Sequence, residues 1–374
     1  MVKNYFSLLI LMFSFILITS SCSDDIIVSD PNESSENCLF DNENSTVNHF
    51  LFEGYQDFGF SSAVRAKDGN ILICGQTDVS DERRAIVIKT TEQGGLIWKK
   101  EVGAARTRAN LIVQDEEKNI YIAGPNIGFF SVLKLSSNGD SIWHQEFEQH
   151  DGRSIHLFQD SIIIISFWNG SDFIKLNTNG ITAQSINVEN LNSQIYSSTL
   201  LHDNKLLVNS NFNGEYYQTI INSNGEISSQ FEFGNKHNLG KYTIELEDES
   251  LLTVGDIREN QDAKDFLWLV KSSRNGEILW EKQFGNPNVS YSVTKVIENN
   301  DKTFLAIGSI YKQSGFNAFT FHISENGDSL RATYFLEQGV HTFSSVIKTE
   351  FDRNILIGRN QTNIYLMEVA NAGN

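Results

Sequence analysis

From residue 47 onward, apolar and polar positions alternate in short runs, each broken after a few residues by a turn. "RAIVIKT", "FSVLKLS", "FLWLVKS", "AFTFHIS" and "IYLMEVA" are typical, with branched and aromatic side chains on alternate positions and a polar-Gly pair such as Asn-Gly close behind most of them. A period of two bounded by such turns predicts antiparallel strands joined by hairpins. No stretch keeps a helical period for ten residues, and the chain has only three prolines. The turn glycine recurs at Gly94, Gly139, Gly180, Gly225, Gly276, Gly327 and Gly373, at spacings between 41 and 51 residues. Each period has room for about four short strands, the signature of a propeller blade. The expected fold is therefore all-β: a seven-bladed β-propeller with four antiparallel strands per blade. A Greek-key sandwich would share the strands but would not repeat in one register.

The last unit ends at "NAGN" without its outer strand, while "VNHFLFEGYQDFGFSS" at 47–62 reads as such a strand followed by the start of a blade. An open ring would leave two blade faces and a strand edge unsatisfied. The N-terminal strand is thus expected to close the last blade, residues 47–53 pairing antiparallel with residues 363–370. The propeller would occupy residues 46–374.

Ahead of it lie two segments of different character. The first eighteen residues hold one charge, Lys3, and an apolar run from Tyr5 to Ile18. That run falls short of the roughly 20 residues that cross a bilayer, so it reads as a secretory signal. "TSSC" resembles a bacterial lipobox, which makes residues 1–22 a lipoprotein signal ending at a lipidated Cys22; an ordinary signal peptide is the alternative. Residues 23–45 are acidic and poor in apolar side chains, with no Lys or Arg between Cys22 and Arg65. Such a stretch cannot bury enough surface to order itself and reads as a flexible tether. Its "SDD" resembles the surface-export signal of Bacteroidota lipoproteins. The expected location is the outer membrane, exposed on the cell surface, with a periplasm-facing tether as the alternative.

Charge narrows the partners. The formal net charge is −18, and removal of Lys3 with the signal makes it −19, a balance that argues against nucleic acid. The membrane is reached through the lipid anchor alone. Of the cysteines other than Cys22, Cys38 lies in the tether and Cys74 inside the apolar "ILICG", so no disulfide framework is expected.

The repeat "G…(apolar strand)…K-x-[DNS]-x-x-G-x-x-x-W-x-x-x-[FY]-G", as in "GDIRENQDAKDFLWLVKSSRNGEILWEKQFG", resembles the seven-bladed repeats of secreted bacterial β-propellers from residue 46 onward. There is a looser likeness to tryptophan-marked propellers of quinoprotein type, including the propeller lipoprotein of the outer-membrane barrel-assembly machinery. The tryptophan stands in three units only, as Trp98, Trp143 and Trp280. No quinone-binding set carries over, and no cofactor is expected.

Propeller ligands usually meet the loops that lead from one blade's outer strand to the next blade's inner strand. Aligning the starts of the inner strands gives Phe60, Arg108, Arg153, Tyr196, Tyr242, Tyr291 and Phe343 as candidate ligand-binding residues, with His150, His237 and His341 nearby. Aromatic faces stack on sugar rings and arginine forks clamp carboxylates, so the expected partner is a protein or an acidic or neutral glycan. Packing between blades is the bland alternative for the same aromatics. Glycoside chemistry needs two carboxylates on one bond, and only Asp57 and Asp151 lie near those positions. No His or Cys pair has metal-ligand spacing, no calcium loop or G-x-S-x-G elbow is present, and no catalytic residue is assigned. Asp140-Ser141-Ile142, Asp160-Ser161-Ile162 and Asp328-Ser329-Leu330 look like O-glycosylation tripeptides of Bacteroidota. The expectation is a lipid-anchored, non-catalytic binding or scaffolding propeller; the alternative is a polysaccharide hydrolase or lyase with its site at the channel mouth.

Overall fold

A computed structural model describes residues 50–51, 58–77, 84–126, 129–148, 152–158, 161–166, 172–187, 194–212, 215–222, 225–233, 238–258, 265–285, 289–312, 315–335, 342–349, 353–359 and 364–370. The signal, Cys22, Cys38 and the tether lie outside the described residues.

The strands form seven four-stranded sheets, but these are not seven equivalent blades. Six sheets each take four consecutive strands: residues 58–102 (blade 1), 111–148 (blade 2), 152–187 (blade 3), 194–233 (blade 4), 238–284 (blade 5) and 290–334 (blade 6). The remaining sheet is a composite, in which Thr342–Lys348, Arg353–Arg359 and Ile364–Ala370 are joined by Phe50–Leu51 from the other end of the chain. Its fourth strand pairs only Phe50 with Leu366 and Leu51 with Tyr365. The expectation of seven like blades, the last closed by a full strand over 47–53, is corrected accordingly: there are six complete blades and one clasp sheet with a two-residue outer ladder among the described residues. The physical reason is that no hairpin turn holds this strand to its partner. The contact closes most of the chain length, and that closure entropy is set against few backbone bonds.

Ring closure does not rest on that ladder alone. The innermost strands neighbour one another in a cycle, and Phe58–Arg65 of blade 1 lies beside Thr342–Lys348 of the clasp sheet. There the Ala63 N–H donates to Ser345 Oγ at 3.1 Å.

Alternation along the strands divides the core between neighbours. In blade 1, Ile71, Ile73, Ile86 and Ile88 pack on Ile347, Ile355, Ile357 and Leu366 of the clasp sheet. The intervening Leu72, Cys74 and Val87 pack on Ile112, Ile120, Ile122 and Leu133 of blade 2. Middle strands are consequently buried on both faces, as in Phe266–Ser272, and read as unbroken apolar runs. Outer strands such as Leu96–Val102 are covered on one side only and alternate.

The repeated turn phrase has a packing cause. Gly139, Gly180, Gly276 and Gly327 all hold φ between 80° and 86°, a left-handed conformation that favours glycine. Each also lies under an aromatic ring of the preceding blade or its neighbour in the ring. A Cβ on Gly139 would sit 3.0 Å from Trp98, on Gly180 2.9 Å from Trp143, on Gly276 2.5 Å from Phe231 and on Gly327 3.0 Å from Trp280. The indole of Trp143 donates to the Thr178 carbonyl at 3.1 Å, and that of Trp280 to the Glu325 carbonyl at 3.2 Å. The turn glycine and the outer-strand aromatic are thus two halves of one contact between blades. The repeated lysine is also structural: Lys89 pairs with Asp68 at 2.5 Å and Lys271 with Asp248 at 3.0 Å. Burial alone would raise the Asp248 carboxyl, but hydrogen bonds from Ser250 and the Lys271 ammonium outweigh it and hold it at about 2.

Deleting residues 46–54 should lower the unfolding temperature by roughly 5 °C or more, because it strips the clasp ladder and exposes the edge of Ile364–Ala370; an unchanged melt would remove the clasp from the account. Gly327→Ala should destabilise by about 1–2 kcal/mol from the left-handed backbone alone, read as a shift of the denaturant midpoint without a change of slope.

Candidate binding site in the central channel

Six of the seven inner strands fit one extra residue against their second strand near the same end. Bulges fall between Phe60 and Ser62, Gly152 and Ser154, Ile195 and Ser197, Gly240 and Tyr242, Val293 and Lys295, and Phe343 and Ser345. In blade 2 the Arg108 and Asn110 N–H groups bond the carbonyls of Pro125 and Ala123, continuing the pairing just ahead of its inner strand. The residue before each bulge faces a small one: Gly75, Ser166, Ser210, Gly255, Gly308 or Gly358. At Gly308 a Cβ would lie 2.1 Å from the Ser292 carbonyl oxygen, which explains the recurrent small residue at the end of "FLAIG" and its counterparts.

This register separates the residues aligned from sequence. Phe60 and Phe343 precede the bulge, Arg153 and Tyr196 occupy it, and Tyr242 follows it. Tyr291 lies two residues ahead of Val293, and Arg108 precedes its strand altogether. They are not one ring. A bulge shifts all later positions by one, and alternation alone does not show where it falls.

Their surroundings differ as well. Phe343 is fully buried with its ring edge-on to Phe335 at 4.9 Å. Tyr291 is buried against Phe319 at 5.8 Å, and its hydroxyl meets that of Tyr334 at 3.1 Å. Both build the packing between sheets. Arg108 is half-buried. Tyr196 and Tyr242 are half-buried, and burial raises both hydroxyls above the usual tyrosine range. His150, His237, His341, Asp57 and Asp151 lie outside the described residues.

What the fold does gather lies one step past the bulge, at the level of Ser62, Leu111, Ser154, Ser197, Tyr242, Lys295 and Ser345. The Lys295 ammonium donates to Ser345 Oγ of the clasp sheet at 3.4 Å and lies 6.0 Å from the ring centroid of Tyr242 in blade 5. Its charge is felt by the Cys74 thiol of blade 1, which burial pushes up and the lysine draws down. Its partners therefore come from the sheets on both sides of blade 6. Burial lowers the amine below the usual lysine range.

Two further groups adjoin the channel. Ser154 Oγ and Ser198 Oγ lie 2.5 Å apart, and His156 Nε2 is 2.7 Å from Ser198 Oγ. Burial depresses His156 to about 4. Between blades 5 and 6, Lys241 pairs with the buried Asp256 and donates to Ser292 Oγ at 3.1 Å. Burial raises the Asp256 carboxyl despite Lys241 and the Val293 N–H, which donates to it at 3.2 Å. Lys295, His156, Ser198, Lys241 and Asp256 were all missed by the alignment of strand starts. Their signal is departure from the repeat: once the bulge is placed, Lys295 is the lone charge at a level dominated by serine. Among the described residues, no group of three or more His, Cys, Asp or Glu could hold a metal ion.

The two ends of the ring differ in chemistry. Turns between first and second strands and between third and fourth strands share one face, where ion pairs join adjacent blades: Lys67 with Glu116 at 2.5 Å, Arg274 with Asp203 at 2.7 Å, and Lys302 with Glu247. Hairpins between second and third strands share the other, the mouth face. They expose Phe129, Phe212, Tyr311 and Phe316, the last two with centroids 5.0 Å apart.

Solved structures share this architecture. The chain is similar to a virginiamycin B lyase from Staphylococcus aureus solved as an inactive variant with quinupristin, at 13% identity and a TM-score of 0.63 over 86% of this chain and 99% of that one. It is also similar to the WD40 repeats of RRP9, at 9% identity and 0.61 over 86% and 97%, and to the Dos1 propeller, at 9% and 0.55 over 83% and 78%. The fold is a β-propeller. At such identities the likeness extends to the fold alone. No family model and no curated protein matches the chain.

The half-buried His156 and the buried His322 set a pH dependence. His156 and His322 are both held near 4, chiefly by burial, and for His322 also by Arg331. Unfolded histidine takes up a proton below about 6.5, so the unfolded state binds more protons between that pH and 4. Stability from these groups is full above about 6.5 and is lost progressively as the pH falls to about 4. Thermal melts from pH 7.5 to 4 should show this decline, and a His156→Asn, His322→Asn variant should flatten it. An equal slope in the variant would assign the decline to other groups.

Proposed function

We propose that this protein is a non-catalytic binding or scaffolding propeller, anchored through lipidated Cys22 at the outer membrane with its propeller on the cell surface. It contacts a protein or glycan through the mouth face. The reading is carried by exposed aromatics: the mouth face presents Phe129, Phe212, Tyr311 and Phe316 to solvent, whereas the large apolar side chains exposed beside the turns of the other face, such as Leu96, Ile142 and Leu279, are aliphatic. Exposed aromatics held on hairpins of a rigid scaffold supply contact area to a protein or a stacking surface to a sugar. The lipobox-like "TSSC" and the acidic tether support the anchored location.

Affinity purification of the anchored protein from intact cells, with proteinase shaving to fix the side of the membrane, tests the reading. A Tyr311→Ala, Phe316→Ala variant should retain its unfolding temperature and lose roughly tenfold or more in partner affinity. Unchanged capture by the variant would overturn the mouth-face contact, and cleavage of an extracellular polysaccharide by the purified protein would overturn the non-catalytic reading.

A further inference from the structure

We propose that the central channel binds a small carboxylate-bearing ligand, with the Lys295 ammonium as its counter-charge beside Ser345 and Tyr242.

Several lysines of this fold meet a carboxylate, as Lys89 meets Asp68, Lys241 meets Asp256, Lys271 meets Asp248 and Lys302 meets Glu247, while Lys134 and Lys348 donate to the backbone carbonyls of Thr178 and Glu298. With 47 acidic and 29 basic side chains, the chain has no shortage of partners for its cations. Lys295 nevertheless has a single hydroxyl, Ser345 Oγ at 3.4 Å, as its hydrogen-bond acceptor among the described residues. An ammonium has three N–H donors, so this one hydroxyl leaves two without a hydrogen-bond acceptor among the described residues. Ser345 Oγ already accepts the Ala63 N–H, which keeps it in place as a neighbour rather than a full partner for the cation.

The surroundings select the class of anion. Lys295 is half-buried, and even partial removal of an ammonium from water is costly without a counter-ion, a cost that a charge-assisted contact with an anion offsets. Burial is the main influence on Lys295. At the same level stand Ser154 and Ser197, with Ser197 Oγ accepting from Asn209 Nδ2 at 2.8 Å and so left with its own proton to donate. One ammonium with neutral hydroxyls matches the single charge and two acceptor oxygens of a carboxylate better than the double charge of a phosphate. The site does not depend on the aromatic contact at the mouth face.

The probes are acetate and glucuronate, with glucose as the neutral control and inorganic phosphate as the competing class, each added at constant ionic strength while thermal unfolding of the secreted chain is followed. A ligand that binds only the folded state raises the melting temperature saturably. Acetate, glucuronate or both should do so. Lys295→Met should lose the response and Lys295→Arg should keep part of it. Titration calorimetry across the alkaline pH range, in buffers of different ionisation enthalpy, should show proton uptake with wild type that peaks below the usual lysine range, because burial lowers the free amine and binding charges it. If Lys295→Met does not fold, Lys295→Arg and the proton uptake carry the test. The Tyr311→Ala, Phe316→Ala variant should respond like wild type, which separates this site from the mouth-face contact. A response to glucose equal to that of glucuronate, a response to phosphate alone, or an unchanged response in Lys295→Met would each overturn the proposal.

Discussion

Each blade buries its two faces against two different neighbours, so no blade has a core of its own. Ile71 and Ile73 serve one interface while Leu72 and Cys74 serve the next, although all four share one strand. A sheet with two apolar faces and no partners would expose both, and only a closed set covers every face. Closure is therefore a condition for the fold and not an ornament of it. It is secured at the inner rim by the Ala63–Ser345 bond and at the outer edge by the short ladder at Phe50 and Leu51.

The same constraint explains where polar groups are admitted. At the seam of blades 4 and 5, apolar pairing gives way to a buried network. Tyr216 donates to Asn209 Oδ1 at 2.6 Å, Gln218 Nε2 to Thr253 Oγ1 at 2.6 Å, and Thr243 Oγ1 to Asn209 Oδ1 at 3.0 Å. Gly240 makes room for it, since a Cβ there would lie 2.2 Å from the Tyr216 ring. Buried hydrogen bonds have strict geometry, so this seam fixes how its two blades register where fluid apolar contact would not. The network runs on through Asn209 to Ser197. Polar interior and channel lining are thus continuous, and the channel is where the repeat relaxes its apolar rule.

Much of the blade was legible in the chain because its causes are local. The turn at Gly139 announces itself through Asn138 and its left-handed backbone, and the Trp143 strand through its alternation. The candidate site was less legible. Tyr291 and Phe343 look like channel residues in an alignment of strand starts, yet their rings fill the packing between sheets. Lys295 looks like an ordinary strand lysine, yet the fold brings it beside Tyr242 and Ser345 from the two neighbouring sheets. The difference is the bulge, one residue that reassigns which neighbour each later side chain meets.

By itself the sequence determined that the chain would form short antiparallel strands in a propeller repeat, because period-two alternation and turn glycines act within a hairpin. Only the tertiary structure decided that the last sheet is a composite held by two residue pairs, and which side chains converge on the axis. Those outcomes depend on closure entropy and on the placement of bulges, and both are settled by contacts between residues far apart in the chain.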